Sequence, residues 1–135
     1  MVVHMEFYEV GKYKAVCTLT LDDLLANGIT ADDIFERTLQ GREFIRKARE
    51  LTVKSTKIKW PGCAFSMQIS AYKDGGIMLT FSETVEDFVY NLKQSRDMIG
   101  GNKMLDEMIE ALEMRSEEEA RELIRQFEKN IAEMA

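Results

Sequence analysis

Tyr13, Ala15, Cys17 and Leu19 alternate with Lys14, Val16, Thr18 and Thr20, the period-two pattern of a strand with one buried face. Met5–Glu9 reads as its partner, turned back at Val10-Gly11-Lys12, and the pair predicts a hairpin; Met1-Val2-Val3-His4 reads as a short extension. Thr20 with Asp23, and Thr30 with Asp33, are capping pairs in which a hydroxyl and a carboxylate meet the free amides of a helix start. They predict short helices over Leu21–Ala26, ended by Asn27-Gly28, and around Ile34-Phe35. Phe44, Ile45, Ala48 and Leu51 then fall on one helical face opposite Arg42, Arg46, Lys47, Arg49 and Glu50, so a longer helix over about 40–53 should lie across a sheet. Phe65, Met67, Ile69 and Ala71, and afterwards Ile77, Leu79 and Phe81, restore the period of two. Asp74-Gly75-Gly76 between them tolerates the positive φ angles of a tight turn, and a second hairpin follows.

Beyond Glu83 the period is helical throughout. Thr84 with Asp87, the Gly100-Gly101 break and the capping box Ser116-Glu117-Glu118-Glu119 delimit helices at about 85–98, 103–114 and 117–133. The pattern therefore predicts an α+β fold: an antiparallel sheet of two hairpins with helices on one face, over residues 5–83, followed by a C-terminal amphipathic helical segment, 84–135.

Composition adjusts this picture in a few places. A chain of 135 residues with 45% hydrophobic and 31% charged residues can bury a core, and its net charge of −6 argues against binding a phosphate backbone. The charge is unevenly placed: residues 1–83 carry 11 basic and 11 acidic side chains, residues 84–135 carry 7 and 13. No apolar run reaches the ~20 residues of a membrane span, and the N-terminus lacks the layout of a signal peptide, so the expected setting is cytoplasmic. Cys17 and Cys63 then read as reduced core residues.

Candidate chemistry is sparse. His4, the only histidine, sits near the chain start, which leaves no histidine-based triad and too few ligands for zinc. Asp22-Asp23 and Asp32-Asp33 stand at helix starts, where capping explains them without acid–base work or magnesium. Gly75-Gly76 and Gly100-Gly101 lack the spacing of a phosphate-binding loop. Lys54, Lys57, Lys59 and Trp60 form a basic, aromatic cluster, but without a second stacking platform; Trp60-Pro61-Gly62 is expected to begin the third strand, with the indole over the sheet edge. No catalytic residue, cofactor, metal or nucleic-acid partner is expected. Met98, Met104, Met108, Met114 and Met134 crowd the helical segment, and adaptable thioethers suit repacking partner surfaces as well as cores. Three amphipathic helices in about fifty residues leave apolar face to be covered by a partner, a second copy or the sheet. Trp60, Phe88, Leu92, Met108, Leu112, Phe127 and Ile131 are the candidate partner-binding residues.

Met5-Glu6-Phe7, Leu21 with Asp23-Leu24 and Gly28-Ile29, the Thr30–Phe35 stretch, Glu43-Phe44-Ile45-Arg46, and the strands Ser66–Ile69 and Ile77–Thr80 together resemble the MecA-type adaptor proteins, or negative regulators of genetic competence, over residues 5–90. The resemblance implies a cytoplasmic, non-enzymatic adaptor. In that family an N-terminal domain captures substrate proteins and a C-terminal domain engages a Clp-type AAA+ ATPase that unfolds them for proteolysis. It also implies a second α+β domain where this chain has helices. The alternative, from the residues alone, is a structural or regulatory homodimer pairing through its C-terminal helices, with the α+β part binding a small ligand.

Overall fold

The computed structural model describes residues 5–134, with side chains described to residue 130. His4 lies outside the described residues, as do the side chains of Ile131 and Met134. The chain divides into two compact units: Met1–Trp60 with Met67–Phe81, the sheet unit, and Pro61–Ser66 with Ser82–Ala135, the helical unit. Ten elements follow one another as β1 (Glu6–Gly11), β2 (Lys14–Leu19), α1 (Leu21–Ala26), α2 (Ala31–Phe35), α3 (Leu39–Ser55), β3 (Ser66–Ala71), β4 (Ile77–Ser82), α4 (Val85–Met98), α5 (Lys103–Glu113) and α6 (Glu117–Met134).

The sheet is antiparallel, in the order β1-β2-β4-β3, so β2 and β4 are central and β1 and β3 are edges. That order follows from burial: β2 buries Ala15, Cys17 and Leu19, and β4 buries Ile77, Leu79 and Phe81, while β1 is almost wholly exposed. Strands with the most apolar inner face gain most from the middle, at about 1.5–3 kcal/mol for each large side chain removed from water. The first hairpin turns at Lys12-Tyr13, and β1 runs to Gly11, two residues past its expected end at Glu9. An extra residue in β1 between Glu9 and Gly11 shifts the register there, so the strand runs on to its glycine.

Both capping boxes form. Thr20 and Thr30 each accept from the amide three residues on, and Asp23 and Asp33 return a bond to the cap amide. Thr38 starts α3 the same way, accepting from Gly41 N–H at 3.1 Å. Gly41 is required: a Cβ there would stand 2.0 Å from the Asp33 carbonyl oxygen of α2. The buried face of α3, formed by Gly41, Phe44, Ala48 and Thr52, lies against β2, and the Thr52 hydroxyl is satisfied by Ala48 O at 2.7 Å.

The third strand begins later than expected. Residues 60–65 are irregular and β3 opens at Ser66. Trp60 does not start a strand; its indole N–H donates to Thr56 Oγ1 at 3.2 Å, closing the end of α3. Ala64 adopts φ 62°, a left-handed turn rare for a residue with a side chain, and this bends the chain just before the strand.

Candidate partner-binding surfaces

In the helical unit, Val89 of α4, Ile109 and Leu112 of α5, and Ala120 and Ile124 of α6 bury one another together with Cys63 and Ala64 from the preceding loop. The loop is fixed by backbone amides donating to carboxylates. Gly62 N–H reaches Glu83 Oε1 at 2.6 Å and Ala64 N–H reaches Glu128 Oε1 at 3.2 Å. Arg121, 8% exposed, donates through Nη1 to the Glu83 carbonyl at 2.9 Å and through Nη2 to Glu117 at 3.2 Å, with Nη1 3.6 Å from Cys63 Sγ. These bonds join residues up to 64 positions apart, and the sequence pattern carries no signal for them. At best, Arg121 inside the otherwise apolar stripe Ala120, Leu123, Ile124 hinted at a buried cation.

The candidate residues separate by depth. Leu112 is 2% exposed and part of the core, and Phe88, Leu92 and Met108 pack against that core, half-buried. The stripe residues thus cover one another to a large extent, because the glycine break and the Met114–Ser116 turn fold three short helices back into one cluster. Phe127 is 39% exposed, and Trp60, half-buried, belongs to the sheet unit. The side chains that do stand out are at helix ends: Met98 at 86%, Met104 at 71% and Met114 at 78%, with Ile99 beside Met98 in sequence. Sequence periodicity alone marked the methionines but could not tell Met108, which packs inward, from its three exposed neighbours.

Two clefts of the sheet unit border the residues described above. One, of about 540 Å³, is lined by Glu6, Asp23 and Asp74 with Thr18, Thr20 and Tyr72. Its carboxylates are already engaged locally: Asp23 by Thr20 N–H, Asp74 by Gly76 N–H, Glu6 by the Tyr8 hydroxyl. The Glu6 bond, and then its charge, push the Tyr8 hydroxyl above its ordinary pKa. The other, of about 280 Å³, lies between the Asn27–Ile29 turn and α3 and is bounded by Phe44, Lys47 and Leu51. The Asn27 amide donates to Asp23 O at 2.7 Å, and its Oδ1 is buried with no protein partner. Burial pushes the Cys17 thiol up to about 12, so no thiolate nucleophile is available there near neutral pH. Among the described residues no group of three or more His, Cys, Asp and Glu is placed to hold a metal ion.

The family model described as Negative regulator of genetic competence (MecA) matches residues 5–133. The chain belongs to the MecA family. A comparison with curated proteins finds no match. The MecA match does not stop with the sheet unit, where the resemblance in residues 5–90 was legible; it continues through α4, α5 and almost all of α6. The helices of this MecA-family chain therefore lie inside the matched stretch. No helix among its described residues is long and apolar enough to cross a membrane.

Proposed function

We propose that this MecA-family chain is a non-enzymatic adaptor that presents target proteins to a Clp-type AAA+ ATPase, whose protease partner then degrades them. The family match over residues 5–133 carries the reading. The mechanism is proximity: holding a target beside the unfoldase raises its effective concentration there, with no bond chemistry by the adaptor itself. The sheet unit is assigned the target, and the acidic helical unit the ATPase, in the cytoplasm. Exposed Met98, Met104, Met114 and Phe127 are the proposed contacts in the helical unit. Phe88, Leu92, Met108 and Leu112 hold those contacts in place from beneath, and Trp60 is kept as a contact of the sheet unit.

The test uses the intact chain with a purified Clp-type ATPase and its peptidase. Expected is a complex by analytical ultracentrifugation and ATP-dependent loss of an unfolded target only when the chain is added. A target degraded equally fast without the chain, or no complex at tens of micromolar, overturns the reading.

A further inference from the structure

Among the described residues the sheet ends on two strands, β1 and β3, each with a single neighbour. An edge strand leaves the N–H and C=O of every second residue without a ladder partner, a template for another extended chain, and proteins guard such edges with charge, bulges or proline. The two edges here are guarded unequally. β1 carries Glu6 and Glu9, has the register shift before Gly11, and uses the Glu9 carboxylate to accept Lys57 N–H from the segment after α3. β3 has none of these devices: the run Phe-Ser-Met-Gln-Ile-Ser-Ala-Tyr, residues 65–72, contains no Asp, Glu, Lys, Arg or Pro. Gln68, Ser70 and Ala71 are exposed, and Met67 and Ile69 are half-exposed.

The hairpin turn shows which amides face the free edge. Tyr72 N–H donates to the Gly76 carbonyl at 2.8 Å, so the Tyr72 backbone faces β4. In an antiparallel strand both polar groups of a residue point to the same side, and the side alternates along the chain. Ser70 and Gln68 therefore also face β4, while Met67, Ile69 and Ala71 turn their N–H and C=O groups outward.

We propose that β3 is a strand-addition edge that captures an extended, uncharged segment of a target protein. The proposal rests on the adaptor reading and names the place where the target is held. Backbone chemistry selects the occupant: donors and acceptors recurring every second residue are matched by an extended polypeptide and by little else. Charge selects among polypeptides. An edge without charge accepts a neutral segment without leaving a buried ion unpaired, whereas a second copy of a chain with net charge −6 approaches against its own field.

The experiment exposes the intact chain to an immobilised array of uncharged ten-residue peptides, then follows amide hydrogen exchange with the best binder in solution. Expected is a slowing of at least tenfold at Met67, Ile69 and Ala71. Binding should weaken at least tenfold in Gln68→Lys/Ser70→Lys, which places charge on two exposed side chains, and in Ala71→Pro, which deletes one outward N–H while keeping the amides that face β4. Circular dichroism checks that each variant is folded. No peptide bound, binding without protection of those three amides, binding unchanged in both variants, or doubling of solution mass with the same amides protected before peptide is added would each overturn the proposal. ATPase binding is measured separately. A chain that binds the ATPase but no peptide at β3 loses this inference and keeps the adaptor reading; one that binds peptide but no ATPase loses that reading.

Discussion

In the sheet unit almost every polar anchor is local: Thr20 with Asp23, Thr30 with Asp33, Thr38 with Gly41, Asp74 with Gly76, each within three residues. In the helical unit similar local caps exist at Thr84, Asn102 and Ser116, but the bonds that fix its loop span 21 to 64 residues. The two units also differ in charge: the sheet unit carries 11 basic and 10 acidic side chains, the helical unit 7 and 14. Local anchors make the sheet unit a sum of small, separable contributions. Distant ones make the helical unit depend on a few residues, Arg121 above all, whose loss is felt across its core.

The strongest challenge to this contrast is Arg121→Ala. It leaves the buried Glu83 carbonyl without this donor and takes from the core the cation that also meets Glu117 and Cys63. Losing a charge-assisted bond and leaving its buried carbonyl acceptor unsatisfied costs about 3 kcal/mol. Amide exchange should accelerate at Val89, Ile109 and Ile124 while Ala15, Leu79 and Phe81 keep their protection; equal acceleration in both sets would mean that the units unfold as one. Next is Gly41→Ala, where the new methyl group meets the Asp33 carbonyl and forces α2 and α3 apart, at about 2–3 kcal/mol. Urea denaturation followed by the fluorescence of Trp60, the sole tryptophan and part of the sheet unit, reads that loss.

Smaller effects sharpen the comparison. Thr30→Ala removes one cap and should cost about 1 kcal/mol by the same fluorescence measurement. The Asp33 carboxyl is held below its ordinary value of 3.8, first by the Thr30 backbone N–H and then by the Thr38 hydroxyl. Because the folded form has the lower pKa, the stabilisation is complete above the ordinary carboxylate range and is lost as pH falls from there through the folded value. Asp33→Asn should therefore flatten the acid limb of the stability profile below about pH 4 and leave its neutral-pH shape unchanged. Smallest of all, Met98→Gln, Met104→Gln and Met114→Gln should each change stability by less than about 0.5 kcal/mol, being exposed. If the adaptor reading holds, the triple variant weakens ATPase binding nonetheless.

The same contrast explains what was legible in the chain. Hairpins, caps and amphipathic helices are written within a few residues, so α1, α2, the β3–β4 hairpin and all three C-terminal helices could be read directly. Gly41 and the late start of β3 could not, because a close approach between helices and the left-handed turn at Ala64 depend on tertiary neighbours. Nor could the depth of Leu112 and Met108 be told from that of Met104 or Phe127. Periodicity reports which face a residue shares; how far that face is covered depends on where the other helices go.

The loop of residues 61–66 belongs with helices that come after it, while the strands that follow it belong with residues that come before. The chain therefore changes allegiance three times, and the halves are threaded rather than joined end to end. No single cut separates them: a fragment ending at Glu83 would carry Gly62, Cys63 and Ala64 away from Glu128 and Arg121. For recombination, this means that the helical unit cannot be exchanged by one crossover. A chimera that kept both halves intact would need three junctions, one on each side of residues 61–66 and one after residue 81.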